Sequence, residues 1–511
     1  MNRARCPTWE CEGMPVCFLL AFMCVLVPSG NREPAQAAPQ LTYGTYLGGR
    51  NKDFANAIAV DNLGAAYVAG QTSSPDFPVT QGALMVTSRV NNDDWIGFVT
   101  KIGEKGDRFS YSTLLGGSYR SSANAITVDS SGRAFVAGST CSLNFPTTPL
   151  AIFRKAPGSN HPDSGDGFVA VLDPAGTRLD YGTYLGGHGE DAAFAVALGH
   201  SNDTVYVGGY TSSADFPVTA LAAQPQLRGL RNGFLSAINV QSGKLLYSTY
   251  LGGNLTDSVT ALAVAPDGAV YVAGITQSFE WPKVLWSRFG KGGAGDGFIL
   301  RLDPAGGLPL KGIRIGGSGN ENLAAIALDS RGDIYAVGST DSQDFPLTGA
   351  NPSATGSAFI LKVDGRKFAA GRPTVVWSRR IGGHGDDALL SVSAGKPGSV
   401  FIAGRSSSND FPTTRGAFYR ELSAQNDSIL ARFRSFDGQL QFATFLGGTR
   451  VKTADWHNDA ATGLVADASG NVYVSGYTID DRLPVTPSAP QVRRKGNTEP
   501  FALRVRFAVS K

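Results

Sequence analysis

Six acidic side chains occupy one position of a pattern that returns along the chain: Asp53, Asp191, Asp257, Glu321, Asp387 and Asp459. Ser121 takes that place in the remaining copy. Carboxylates drawn from several chain segments suit a hard cation such as Ca²⁺, which takes about six to eight oxygen ligands. An acid in a loop can also act locally, accepting backbone N–H bonds and capping its own turn. Because the acid recurs with the repeat, capping is the favoured reading. A Ca²⁺ site at these six residues is the sharper alternative.

Histidines stand beside three of these acids. His188 and His384 lie in Gly-His-Gly-Glu-Asp and Gly-His-Gly-Asp-Asp, and His457 in Asp-Trp-His-Asn-Asp. Imidazoles next to carboxylates serve as metal ligands or as acid–base groups. His384, Asp387, His457 and Asp459 fall in consecutive copies and form the best local cluster, with His384 and His457 the candidate catalytic pair. No HExxH, CxxC or nucleophile elbow occurs. The run Gly290 to Gly295 fits GxGxxG but leads into a strand pattern (FILRL), not a helix, so it is no phosphate cradle.

The elements that must position these groups come from a sevenfold repeat. A Gly-Gly pair closes each YxTYLGG-like segment, at 48–49, 116–117, 186–187, 252–253, 316–317, 382–383 and 447–448, spaced 64 to 70 residues apart. Each unit, with a period of about 66 residues, holds four strand signals. In the first unit they are Ala57 to Asp61, Ala65 to Gly70, Phe98 to Ile102 and Phe109 to Leu115. Period-2 alternation, β-branched and aromatic enrichment, and Asp/Asn/Gly punctuation mark them as strands. Asp129-Ser-Ser-Gly132 and Asp173-Pro-Ala-Gly176 have the chemistry of tight turns between antiparallel neighbours.

Seven four-stranded sheets around an axis make an all-β, seven-bladed β-propeller. The chain enters on a strand of the fourth type (Tyr43 to Gly49) and leaves on one of the third type (Phe501 to Val509). The N-terminal strand is therefore expected to complete the last blade and close the ring, which removes two exposed edges. The units resemble the bacterial SBBP beta-propeller repeat in their YGTYLGG, AIAVDNLGAAYVAG and DFP pieces, over essentially Leu41 to Val509. The inner hairpins are similar to those of NHL-type propellers. The resemblance implies the propeller fold and no particular activity.

Each unit also carries an aromatic-Pro piece after its second strand, from Asp76-Phe-Pro78 to the degenerate Arg482-Leu-Pro484. Its aromatic ring is expected to plug between blades while Pro ends strand pairing. The connections after it, such as Val79 to Gly97, vary most; loops that vary on a repeated scaffold are the natural place for individual function, and sequence drift is the equal alternative.

Residues 1–37 differ from the rest. Arg3 and Arg5 precede the apolar run Pro15 to Pro28, followed by Ala35-Gln-Ala37. This reads as a secretory signal peptide, too short in its apolar core to span a membrane comfortably. Residues 38–511 would then form a single propeller domain with no transmembrane segment, secreted, periplasmic or at the cell surface. Four of the five cysteines fall in the leader, leaving Cys141 alone, expected to be an idle thiol and not a nucleophile. A formal net charge of +3 without a basic stripe argues against nucleic acid.

The expectation is thus an exported, monomeric binding or scaffold module that contacts a protein or glycan through its loop face. An extracellular lyase or hydrolase with a polar or metal site at the channel mouth is the alternative. Enzymatic activity is left open, leaning against.

Overall fold

The computed structural model describes residues 38–88, 90, 94–157, 165–303, 310–349, 356–396, 398–423, 425–447 and 459–507. The expected signal peptide, His457 and Gly448 lie outside the described residues.

Each repeat folds into the antiparallel sheet that its alternation demands. In the first blade the strands are Asp53–Val60, Ala66–Thr72, Ile96–Ile102 and Phe109–Leu115, paired in that order. The first strand begins four residues earlier than its apolar pattern, at the acid itself. The turns behave as their residues require. Gly132 donates its N–H to the Asp129 carbonyl (3.0 Å), and the Asp129 carboxylate accepts the N–H groups of Ser131 and Arg133. Gly132 has φ +85, a backbone state that side chains with a Cβ avoid.

Ring closure is as expected. Gln40–Tyr46 pairs antiparallel with Glu499–Arg506, placing Tyr43 opposite Arg504 and Tyr46 opposite Phe501. The closing sheet therefore joins the two ends of a seven-bladed β-propeller.

The apolar core is divided among seven wedges, one at each blade-to-blade interface. Tyr67, Val99 and Tyr111 of the first blade meet Val136, Phe168 and Tyr184 of the second. The last wedge, where the seventh blade meets the first, joins Tyr43 and Tyr473 to Val68 and Phe98. The plug residues sit in these wedges, where Phe77, Phe145, Phe216 and Phe345 each lie within 4.3–4.6 Å (ring centroids) of the third-strand Phe of their own blade.

Every first strand is bulged at one equivalent position. The register slips at Asn56, Asn124, Phe194, Thr260, Ala324, Leu390 and Thr462. An extra residue there leaves a carbonyl pushed toward the second strand. That carbonyl explains the Gly of each YVAG piece, which the motif alone did not. A Cβ on Gly274 would fall on the Ser258 carbonyl oxygen, and one on Gly70 on that of Phe54.

Two features depart from the expected pattern. The fourth blade has a fifth strand, Val284–Gly290, parallel to its outer strand Leu310–Gly316. The fifth blade replaces the short turn before its last strand with a helix, Gly365–Ala369, capped by Asp364. Its buried Phe368 packs edge-on to Tyr271 of the fourth blade.

Candidate functional site

The acid series opens the innermost strands, on the face that carries the Gly-Gly loops and the long second-to-third connections. All six are buried. Asp257 shows the arrangement: its carboxylate accepts the Gly253 N–H (2.8 Å), the Ser278 hydroxyl (2.9 Å) and the Thr276 hydroxyl (2.5 Å). Glu321 repeats it with Gly317 (3.1 Å), Thr340 (2.6 Å) and Ser342 (2.5 Å). Asp53 accepts from Gly49, Thr72 and Ser74, while Asp191 and Asp387 accept from the N–H of Gly187 and Gly383 and the hydroxyls of Ser213 and Ser408. Asp459 takes the Thr478 hydroxyl and the Ile479 N–H, and Ser121 meets Thr140 at 2.8 Å. Asp53, Asp191, Asp257, Glu321 and Asp387 thus tie their own Gly-Gly loops to the ends of their own second strands, and Asp459 holds the end of its second strand. The Thr-x-Ser that follows the second-strand glycine in five of the seven copies, with Ser406-Ser-Ser408 and Thr478-Ile-Asp480 in the other two, is the sequence signal for these partners. Among the described residues no group of three or more His, Cys, Asp or Glu is arranged to hold a metal ion.

A second set of acids opens the third strands: Asp166, Asp296, Asp427 and Glu499, with Asn232 in the third blade; of these the sequence drew attention only to Asp166, in an acidic loop that lacks EF-hand spacing. All five are buried. They approach the first-strand acid of the next blade beneath the Gly-Gly pair. A Cβ on Gly186 would lie 2.6 Å from both Asp166 Oδ1 and Asp191 Oδ2, so only glycine lets the loop cover the two carboxyls. Where the amide stands, Asn232 Nδ2 donates directly to Asp257 Oδ2 at 3.3 Å.

Carboxyls buried close together cannot all stay ionised without cost. Burial, with Asp427 and Asp480 adding to it, pushes Asp459 up to about 7. Burial, with Asp53 adding, pushes Glu499 up to about 7, and burial with Asp215 adding raises Asp191 to about 6. In the unfolded chain these acids release their protons near about pH 4, so the fold binds protons that the unfolded state has lost. Their stabilisation is complete below that value and is lost as pH rises through about 6 for Asp191 and about 7 for Asp459 and Glu499. The melting midpoint is therefore expected to fall between about pH 5 and about pH 8. Glu499→Gln should flatten that fall and melt higher than wild type at the alkaline end. A pH series of thermal melts on both proteins checks it; parallel profiles would refute it.

The histidines belong to a second recurring pair. The Asp of each Asp-Phe-Pro piece accepts the N–H of the residue after Gly-Gly: Asp76 from Arg50 (2.8 Å), Asp344 from Ser318 (2.7 Å), Asp215 from His188 (2.9 Å) and Asp410 from His384 (2.9 Å). The side chain at that place then pairs with the same carboxylate, as Arg50 does with Asp76 at 3.2 Å and His384 Nδ1 with Asp410 Oδ2 at 2.5 Å. His188 pairs with Asp215 in the same way. The backbone N–H and ring of His384 hold the Asp410 carboxyl below its ordinary range. His384 thus points to Asp410, and Asp387 to its own loop. The remaining member of the expected cluster, His457, lies outside the described residues.

Two concavities open near these loops. One, about 480 Å³, lies along the inner strands and includes Asn56, Asn124, Arg120, Cys141 and Phe194. Bulge residues there hand hydrogen bonds from blade to blade: Asn56 Nδ2 to the Ala123 carbonyl (3.1 Å), Asn124 Nδ2 to Ala193 (3.0 Å), and Thr462 Oγ1 back to Ala55 (2.7 Å). Phe194 cannot continue the relay and instead presents a ring that is 38% exposed. The other hollow, about 550 Å³, lies on the loop face where the third and fourth blades meet. It is lined by Arg228, Asn254, Phe279, Glu280 and Trp281. Phe279 is 65% exposed there, and the neighbouring Leu230 is 83% exposed.

Seven sheets closed by the N-terminal strand, with loop acids tied blade by blade, define a closed seven-bladed β-propeller. Two of its repeat stretches, residues 42–78 and 110–146, match the SBBP family, described as beta-propeller repeat. A curated relative, the regulatory protein FlaEY of Caulobacter vibrioides, is 25% identical over 253 residues, which is 48% of this chain and 26% of the relative. The chain thus spans about a quarter of the length of that relative. Among solved structures, Sqt1 of Chaetomium thermophilum superposes with a TM-score of 0.44 at 14% identity, covering 92% of this chain and 98% of its own. BamB of Moraxella catarrhalis gives a TM-score of 0.36 at 9% identity, covering 89% and 85%.

Proposed function

We propose that this propeller is an exported binding module that presents its loop face to a protein partner. The observation that carries this reading is the hollow between the third and fourth blades. Phe279, 65% exposed, lines it, and the two other loops that supply its lining through Arg228 and Asn254 also carry the exposed Leu230 (83%) and Leu255 (39%). Arg228 and Glu280 in its lining supply a polar rim around the apolar patch. Exposed aromatics ringed by polar groups mark interaction sites, because an aromatic side chain gives much contact area for little ordering entropy. A site for a glycan would use the same hollow through Phe279 and Asn254.

The test is a photo-crosslinking residue placed at Phe279, expressed in the producing cells, with Leu63 as control. Leu63 is 79% exposed on a turn at the opposite end of the blades. A discrete protein adduct from position 279 and none from position 63 is the expected result. Adducts of equal pattern from both sites, or a carbohydrate adduct alone, would overturn the protein reading.

A further inference from the structure

We propose that two copies of this chain associate rim to rim, by antiparallel pairing of the fifth strand of the fourth blade, Val284–Gly290, about a two-fold axis at Ser287.

The other six blades seal their outer edge with an irregular turn. After the aromatic-Pro piece, a threonine N–H bonds the outer strand: Thr80 to Ser112, Thr148 to Gly182, Thr219 to Ser248, Thr348 to Ser378, Thr414 to Ala443 and Thr486 to Gly44. In the fourth blade, Pro282 is followed by Lys283, whose φ of +58 is the only positive value at a non-glycine among the described residues. The chain then runs straight for seven residues against Leu310–Gly316. That substitutes a regular strand edge for a sealed one. Among the described residues this strand pairs only with Leu310–Gly316, so its other side offers a row of N–H and C=O groups to a further strand. The usual guards are missing, since the strand has no proline, no bulge and one charge, Arg288.

The occupant follows from the strand's own side chains. A two-fold axis at Ser287 sets Leu285 of one copy opposite Phe289 of the other, and Trp286 opposite Arg288. Directly opposed residues share a face of the sheet. One face therefore gains an apolar pair, repeated by symmetry, using a leucine that is 61% exposed in the single chain. The other face gains a guanidinium beside an indole, the favoured cation–π partnership. Ser287 meets its own copy without bulk or like charge. A two-fold interface needs one patch complementary to itself, and this sequence is. From the sequence alone, by contrast, a monomer is expected.

An edge of seven residues buries less than the roughly 1,600 Å² of a standard interface, so association in the micromolar range is expected. Sedimentation equilibrium of the whole protein, from low to high micromolar, should show mass rising from one chain to two. Leu285→Lys should leave the melting midpoint unchanged and hold the protein at one chain. A second variant reads the register. Opposed Cα atoms lie about 4.5–5.5 Å apart across an antiparallel pair, within disulfide reach. Ser287→Cys in a Cys141→Ser background should therefore oxidise to a linked dimer that the Cys141→Ser parent does not form. A protein that stays monomeric at high micromolar concentration would overturn the proposal. So would a dimer that survives Leu285→Lys and is not linked by Ser287→Cys.

Discussion

Removing Ala38 to Gly49 is expected to abolish cooperative folding of the propeller. The deletion takes away the fourth strand of the seventh blade, six registered pairs with Glu499–Arg506, and two fully buried tyrosines, Tyr43 and Tyr46. Truncating a large buried aromatic side chain costs about 3–5 kcal/mol, so the two together approach the whole of a typical domain stability of about 5–15 kcal/mol. The loss also spreads to both neighbours. Tyr43 lies in the wedge with Val68 and Phe98 of the first blade, and Tyr46 in the wedge with Leu430 and Phe442 of the sixth. The freed edge of Glu499–Arg506 would be open to pairing with other chains. Thermal and urea melts of the truncated protein check this; an unchanged midpoint would show that the ring does not depend on its closing strand.

Gly274→Ala is the point substitution with the largest expected cost, about 3 kcal/mol or more, as overpacking against backbone that cannot give way. The new methyl would sit on the Ser258 carbonyl, with Phe298 Cε1 a further 3.0 Å contact. That carbonyl is held in place by the bulge at Thr260, whose own hydroxyl bonds the Leu323 carbonyl of the next blade at 2.7 Å. Relief would require undoing the bulge and with it a blade-to-blade contact. Gly332→Ala is the control. Gly332, unlike Gly274, has a positive φ, +81, and nothing lies within 4 Å of the added Cβ. Its cost should be the conformational penalty alone, about 1–2 kcal/mol. Chemical denaturation of both variants separates the causes, and equal losses would rule out the steric account.

Much of this architecture was legible because a repeat states the same structural requirement seven times. Gly-Gly, Asp-x-x-Gly and the alternating apolar runs each recur at one phase of the period, so blade number, strand order and ring closure follow by counting. The capping role of the first-strand acids was equally readable, since an acid that recurs with the fold serves the fold. The pairing of third-strand with first-strand acids was not legible, because Asp166 for instance stands about 25 residues from Asp191, and only the sheet geometry brings the two under one loop. His384 stands beside Asp387 in sequence but its ring pairs with Asp410, and His188 pairs with Asp215 in the same way; both acids belong to the Asp-Phe-Pro pieces.

By itself, then, the chain's sequence determined a closed seven-bladed ring, because local alternation and turn chemistry act between residues that are close in sequence. Tertiary structure alone decided which carboxyls are buried beneath one loop, why YVAG must end in glycine, and that the fourth blade carries a fifth strand. Those outcomes depend on distances between segments that no local pattern encodes. The fifth strand is the clearest case: Val284–Gly290 is rich in strand-forming residues, but only the open flank of Leu310–Gly316 gives it backbone partners.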